Sequence, residues 1–211
     1  MNSDHYLDTA NSDVYLKSGG SWSVETNIKG LTGNTGPAGT TGVASKTSQV
    51  SITNSNAETQ LIGYTIPADT LVAGSTYRID VYGTLSCVSA NPATTATFRV
   101  RIGTTTLTGN IATSLAPTLA NSVAMSTKPF HITAILTVRT DGNGGTCIAQ
   151  AFITGEYATA VAQAVKGTAT TATQAVDTTA NKIIEMTFQY GTANGSNTLK
   201  VDNAVIELVK S

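Results

Sequence analysis

Charge is scarce in this chain. Only 12% of its 211 residues are Asp, Glu, Lys or Arg, and the formal net charge is −1. Nucleic acids and anionic membranes select for basic patches, and none is visible, so neither partner is expected. Solubility has to come from Thr, Ser, Asn and Gln instead. No apolar run is long enough to span a bilayer, which excludes membrane insertion through a helix. Met1 leads into the polar stretch NSDHY without a signal-peptide pattern, so synthesis in the cytoplasm is expected. Cysteine is equally rare. Cys87 and Cys147 each fall inside a strand pattern, which predicts small buried thiols; a disulfide would require the two strands to be neighbours.

The residues of common catalytic chemistry are missing too. There are two histidines, and neither His5 nor His131 has a carboxylate or thiol at metal-ligand spacing. No Gly-x-Ser-x-Gly elbow, phosphate loop or motif-bound pair of carboxylates occurs. Asp141-Gly142-Asn143 begins like a calcium loop but lacks the downstream bidentate Glu, and a hairpin turn accounts for it better. Asn194-Gly195-Ser196 fits a glycosylation sequon and equally a turn; without a secretion signal the turn is expected. No catalytic site, metal or cofactor is expected.

What is present is a period. Gly30, Gly33, Gly36, Gly39 and Gly42 frame the run GLT-GNT-GPA-GTT-G. A collagen triple helix needs glycine at every third position, because only a hydrogen atom fits at its crowded axis. A flexible linker has no reason to hold that register over five glycines, nor to place a proline (Pro37) in an X slot. The run therefore predicts three chains side by side over about 35–40 Å. With one proline in four triplets and no proline in a Y slot, it is too weak to trimerise alone. Its neighbours must supply the trimer.

The period divides the chain into residues 1–29, a stalk at 30–43 and a remainder at 44–211. In the first part, turn signals at Asn11-Ser12-Asp13 and Ser18-Gly19-Gly20 separate β-prone runs at Tyr6-Leu7, Val14-Tyr15-Leu16 and Trp22-Ser23-Val24. This reads as a small hairpin or meander, marginal alone, whose copies could share a core built on Tyr6, Tyr15 and Trp22. The remainder, about 165 residues, is long enough to bury roughly 70% of its unfolded surface. Period-two alternation runs through Tyr77–Cys87, Phe98–Ile102, Phe130–Val138, Cys147–Thr154, Ile184–Tyr190 and Leu199–Val209. The apolar phase slips near Asp202-Asn203, which predicts a bulge. Seven or eight strands without a convincing helix describe an antiparallel β-sandwich or jelly roll. The Ala/Thr-rich stretch 158–179 is expected as a loop or irregular edge. Ile135, Ile148 and Phe152 lie opposite the inward residues of their strands. A sheet apolar on both faces is usually covered on both, here by a neighbouring protomer or by a loop. With Trp22 they are the candidate trimer-interface residues.

The segment YLDTANSDVYLKSGGSW…NIKG followed by Gly-x-y triplets resembles a module of fibre and other appendage proteins of tailed bacteriophages. The phrases YTIPADTLVAGSTYRIDVYG, FRVRIGTTTLTG, HITAILTVRT and FQYGTANGSNTLKVDNAVIEL likewise resemble a phage virion jelly-roll domain. The resemblance covers most of the chain. It implies an all-β homotrimer with a collagen-like stalk and a TNF-like jelly-roll head, located on the virion surface. Residues 1–29 would attach to other virion proteins of the capsid or tail, and the head would meet a host-cell polysaccharide or protein. No large anchor domain precedes the repeat, which favours a short spike or fibre seated on the capsid. Alternatives are a capsid decoration trimer, a carbohydrate-binding head using Tyr82 or Tyr157, a sugar-hydrolysing head and a bacterial surface filament. The receptor-binding residues are not legible. Replacement Gly36→Ala is expected to lower the melting temperature of the stalk and leave the head folded; an unchanged proteolysis pattern across 30–42 would count against the triple helix.

Overall fold

The structure, a computed structural model, describes residues 4–27, 41–87, 95–117, 125–156, 164–168 and 172–210. Among them it is all-β, with no helix, in three sheets. The chain divides into two compact units, Met1–Ala38 and Gly39–Ser211.

The first unit is a meander of β1 (His5–Asp8), β2 (Asp13–Ser18) and β3 (Ser21–Asn27), each antiparallel to the next. The turns fall where Asn, Ser and Gly placed them: Ser12, Gly19 and Gly20 take the positive φ values of tight turns.

The second unit holds β4 (Thr41–Ser45), β5 (Val50–Thr53), β6 (Thr59–Ile66), β7 (Thr76–Cys87), β8 (Ala96–Gly103) and β9 (Asn110–Leu115). They are followed by β10 (Met125–Thr140), β11 (Thr146–Gly155), β12 (Ala164–Gly167), β13 (Gln174–Ala175), β14 (Lys182–Tyr190) and β15 (Thr198–Lys210). One sheet has the order β12-β11-β10-β7-β15-β4, with β13 on β11 and β5 on β15; the other has the order β6-β14-β8-β9. The chain repeatedly leaves one sheet for the other, and the inward residues of both form one continuous core, as in a β-sandwich.

Alternation puts the predicted residues inside. Tyr77, Ile79, Val81, Leu85 and Cys87 of β7 are buried, as are Phe98, Val100 and Ile102 of β8 and Ile184, Met186, Phe188 and Tyr190 of β14. Aromatic rings tie the layers together: Phe98 meets Phe130 of the opposite sheet at 5.5 Å and Phe188 of its own at 4.8 Å. The Tyr190 hydroxyl donates to the Ser86 carbonyl across the sandwich at 3.1 Å, which satisfies a buried polar group. Burial pushes that phenol's pKa upward, so it stays neutral.

Cys87 and Cys147 are buried and not joined in a disulfide. Their strands β7 and β11 are separated by β10, so the geometry for a disulfide is absent. Burial alone raises the Cys147 pKa to about 11, which makes it inert.

Several elements depart from the expected plan. Of the residues expected to form a stalk, Gly30, Gly33, Gly36, Gly39 and Pro37 lie outside the described residues. Gly42 does not: β4 begins at Thr41 and pairs Gly42 with Glu207 of β15, so the end of the glycine run belongs to the head's sheet. Strands β5, β6 and β9 had no clean period-two signal. The 158–179 stretch contributes the short edge strands β12 and β13. The bulge expected near Asp202 is present, as a register shift between Val201 and Asn203 against β7.

Gly83 faces that bulge. A Cβ there would lie 2.0 Å from the Lys200 carbonyl oxygen and 3.0 Å from Val201 Cα, both backbone atoms that cannot swing away. Replacement Gly83→Ala is expected to cost about 1–3 kcal/mol in denaturant unfolding. Gly144→Ala, where nothing lies within 4 Å, should be nearly neutral. Equal effects at the two positions would contradict this account of the bulge.

Candidate interaction surface

The two outer faces of the sandwich differ in kind. On the four-stranded sheet, alternation turns Arg99 and Arg101 of β8 and Glu185 and Thr187 of β14 outward, and the chain covers them itself. Arg101 donates to both Glu58 carboxylate oxygens at 2.8 and 2.9 Å, and Thr187 donates a further bond to Glu58. Arg99 adds an ion pair to Glu58 at 3.4 Å that lacks hydrogen-bond geometry, so its Nη1 is buried without a hydrogen-bond partner. Glu185, only 1% exposed, accepts from Gln60 Nε2 and from the Leu107 amide, each at 2.6 Å. The second bond holds Leu107 in a left-handed conformation at φ 65. These paired charges are internal scaffolding.

The opposite face, on β11, β10, β7 and β15, is open. The register places Phe152 opposite Thr133, Ile148 opposite Thr137, and Ile135 between Gln150 and Arg78. Ile135 is 49% and Phe152 48% exposed, while Ile148 is half-buried. The Phe152 ring lies against the bare backbone of β12: a Cβ on Gly167 would stand 2.7 Å from it. Ile135, Ile148, Phe152, Thr133, Gln150 and Arg139 border a groove of about 340 Å³. The structure thus joins the three apolar residues proposed from sequence into one patch. Trp22 belongs to the other compact unit and lies on the meander, 47% exposed.

A polar chain borders the patch, and sequence reasoning did not find it. Arg78 pairs with Asp80 at 3.1 Å and with Glu207 of β15. The other oxygen of Asp80 lies 3.1 Å from His131 Nε2, and the His131 ring stacks on Tyr82 at 4.1 Å and 5°. These residues share a face by alternation, which was legible. Their meeting depends on β7 lying between β10 and β15, which local sequence does not state. Tyr82, 44% exposed, keeps one ring face on His131; Tyr157, the other candidate sugar-stacking residue, lies outside the described residues. An apolar centre bordered by paired charges has the anatomy of a protein–protein interface.

Among the described residues no group of three or more His, Cys, Asp or Glu side chains could hold a metal ion. The 141–145 segment is a turn, in which the Gly145 amide donates to the Gly142 carbonyl at 3.1 Å and the Gly142 amide donates to Thr178 Oγ1 at 2.8 Å. In comparisons with protein families, curated proteins and solved structures, none matches the chain.

The Glu58 network has a pH signature. The Arg101 hydrogen bonds, with Thr187 and the nearby Arg99 charge, hold the Glu58 pKa below its ordinary value of 4.5 against the opposing cost of burial. A depressed carboxylate stabilises the fold above its unfolded pKa, and that contribution fades as pH falls through the folded value. Replacement Glu58→Gln should destabilise the head at pH 7 and flatten the loss of stability below pH 4.5. An unchanged acid limb in that variant would show that Glu58 does not contribute to it.

Proposed function

We propose that the chain is a structural protein of a phage particle, a homotrimeric fibre or spike that projects a β head from the capsid or tail toward the host surface. The observation that carries this reading is the glycine register at 30, 33, 36 and 39, which runs directly into β4 at the edge of the head's larger sheet. Three chains in a triple helix deliver three heads at one axis. Each head brings an uncovered face whose apolar centre, Ile135, Ile148 and Phe152, a neighbouring head would bury.

The connectivity supports a jelly roll of the TNF-like kind. Strands β4, β15, β7 and β10 follow one another in one sheet and β6, β14, β8 and β9 in the other, with β11 to β13 added as an edge. The resemblance of YLDTANSDVYLKSGGSW and the strand phrases to phage appendage proteins supplies the virion setting. Weak contacts between each head and a host polysaccharide or protein gain avidity from the three-fold arrangement and from many copies on a particle.

The test is a pair of pull-downs of the purified full-length protein, one with whole bacterial cells and one with emptied phage capsids that lack it. Retention by cells supports the adhesive fibre. Retention by capsids alone replaces it with a decoration protein that reinforces the shell, and retention by neither overturns both.

A further inference from the structure

The N-terminal meander has no core of its own. Among its described residues, 4–26, none is buried. Its sheet carries one large apolar face. Tyr6 stands opposite Tyr15 and Tyr15 opposite Val24 in the register, with Trp22 two pairs further along β3, on the same face and opposite Lys17. The rings contact edge to face or tilted, Tyr6–Tyr15 at 6.2 Å and Tyr6–Trp22 at 6.3 Å, and Lys17 Nζ lies 5.6 Å from the centre of the Trp22 ring. Together with Asp8 the three rings line an open basin of about 430 Å³. Tyr6, Trp22 and Val24 remain 57%, 47% and 54% exposed. On the reverse face Val14 and Leu16 are half-covered, Leu7 opposite Val14 is 44% exposed, and His5 pairs with Glu25 at 3.1 Å, so the reverse face carries apolar surface but no Tyr or Trp ring. A sheet this small with no buried residue among 4–26 has little apolar burial to hold it together, so covering its aromatic face would stabilise it.

Chain length says what covers it. Strand β3 ends at Asn27 and the glycine period starts at Gly30. Three residues reach at most about 10 Å. A triple helix that packs three Gly30 residues at its axis therefore holds three meanders within a few strand widths of one another. At such tether lengths the effective concentration reaches the millimolar range or higher, far above that of any free partner.

We infer that the aromatic faces of three meanders pack on one another, and that this three-chain core, rather than a docking surface for the particle, is the clamp that starts and registers the stalk. The inference rests on the triple-helical reading of residues 30–42. It assigns the N-terminal unit an assembly role at the end of a stalk too poor in proline to hold itself.

Trp22 is the only tryptophan in the chain, so its emission reports on this face alone. The experiment uses the intact protein and measures acrylamide quenching of Trp22 and the number of chains by sedimentation on the same sample. The expected result is three chains, blue-shifted emission, and quenching several-fold weaker than in the denatured protein. Three chains with freely quenched Trp22 would overturn the clamp and leave the trimer standing. One chain would overturn the trimeric reading and the clamp with it. Protection that arises only on addition of phage capsids would assign the face to the particle instead.

A cysteine pair distinguishes packing between chains from cover by the same chain's head. Val24→Cys lies on the aromatic face, whereas Ser23→Cys, opposite Leu16, lies on the reverse. The native thiols are buried and give little background. Mild oxidation should cross-link Val24→Cys into covalent dimers and leave Ser23→Cys monomeric on a denaturing gel. Cross-linking of neither, or of both equally, would refute packing through this face.

Discussion

The head depends on aromatic rings that meet between its two sheets. Phe98 lies between Phe130 of the opposite layer and Phe188 of its own, and Tyr190 closes the stack and anchors its hydroxyl on the Ser86 carbonyl. In a protein with few aromatics, this concentration of large side chains at the centre sets the spacing of the layers. Once the core is committed to one face of each sheet, strict alternation decides what the other faces present. The two outer surfaces are consequences of the same packing, and their difference is where function is to be sought.

One outer face is closed by its own chemistry. Arg101 and Thr187 satisfy Glu58, Arg99 adds an ion pair to it, and Glu185 fixes the loop at Leu107, so the scarce charges of the chain are spent holding loops down. The other face leaves Ile135 and Phe152 half exposed beside the Glu207–Arg78–Asp80–His131–Tyr82 chain. Ile135, Ile148 and Phe152 adjoining one another on one open sheet face fit a surface meant for a partner. The meander shows the same asymmetry on a smaller scale. Both units leave apolar side chains exposed, and in the proposed trimer other copies of the chain would cover them.

Much of the fold was legible because period-two alternation is local. The inward residues of β7, β8, β10, β14 and the start of β15 follow from the sequence alone, as do the turns at Ser12, Gly19, Gly20 and Gly142. What escaped was irregular or non-local. Strand β6 hides its period behind a register shift next to Ile62, and β9 behind one opposite Val100. Strand β4 begins among residues whose glycine spacing spoke for the stalk. The Ile135, Ile148 and Phe152 patch was readable because all three sit out of phase with their own strands. The Asp80–His131 contact was not, since it depends on which strands become neighbours, and no local pattern encodes that.

The central claim is that three chains act as one molecule. The most direct measurement is the solution mass of the intact protein by light scattering after size exclusion. The account predicts three times the 21.7 kDa of the single chain, with elution earlier than a sphere of that mass. A mass of 21.7 kDa, independent of concentration, would contradict it and reduce the glycine run to a linker.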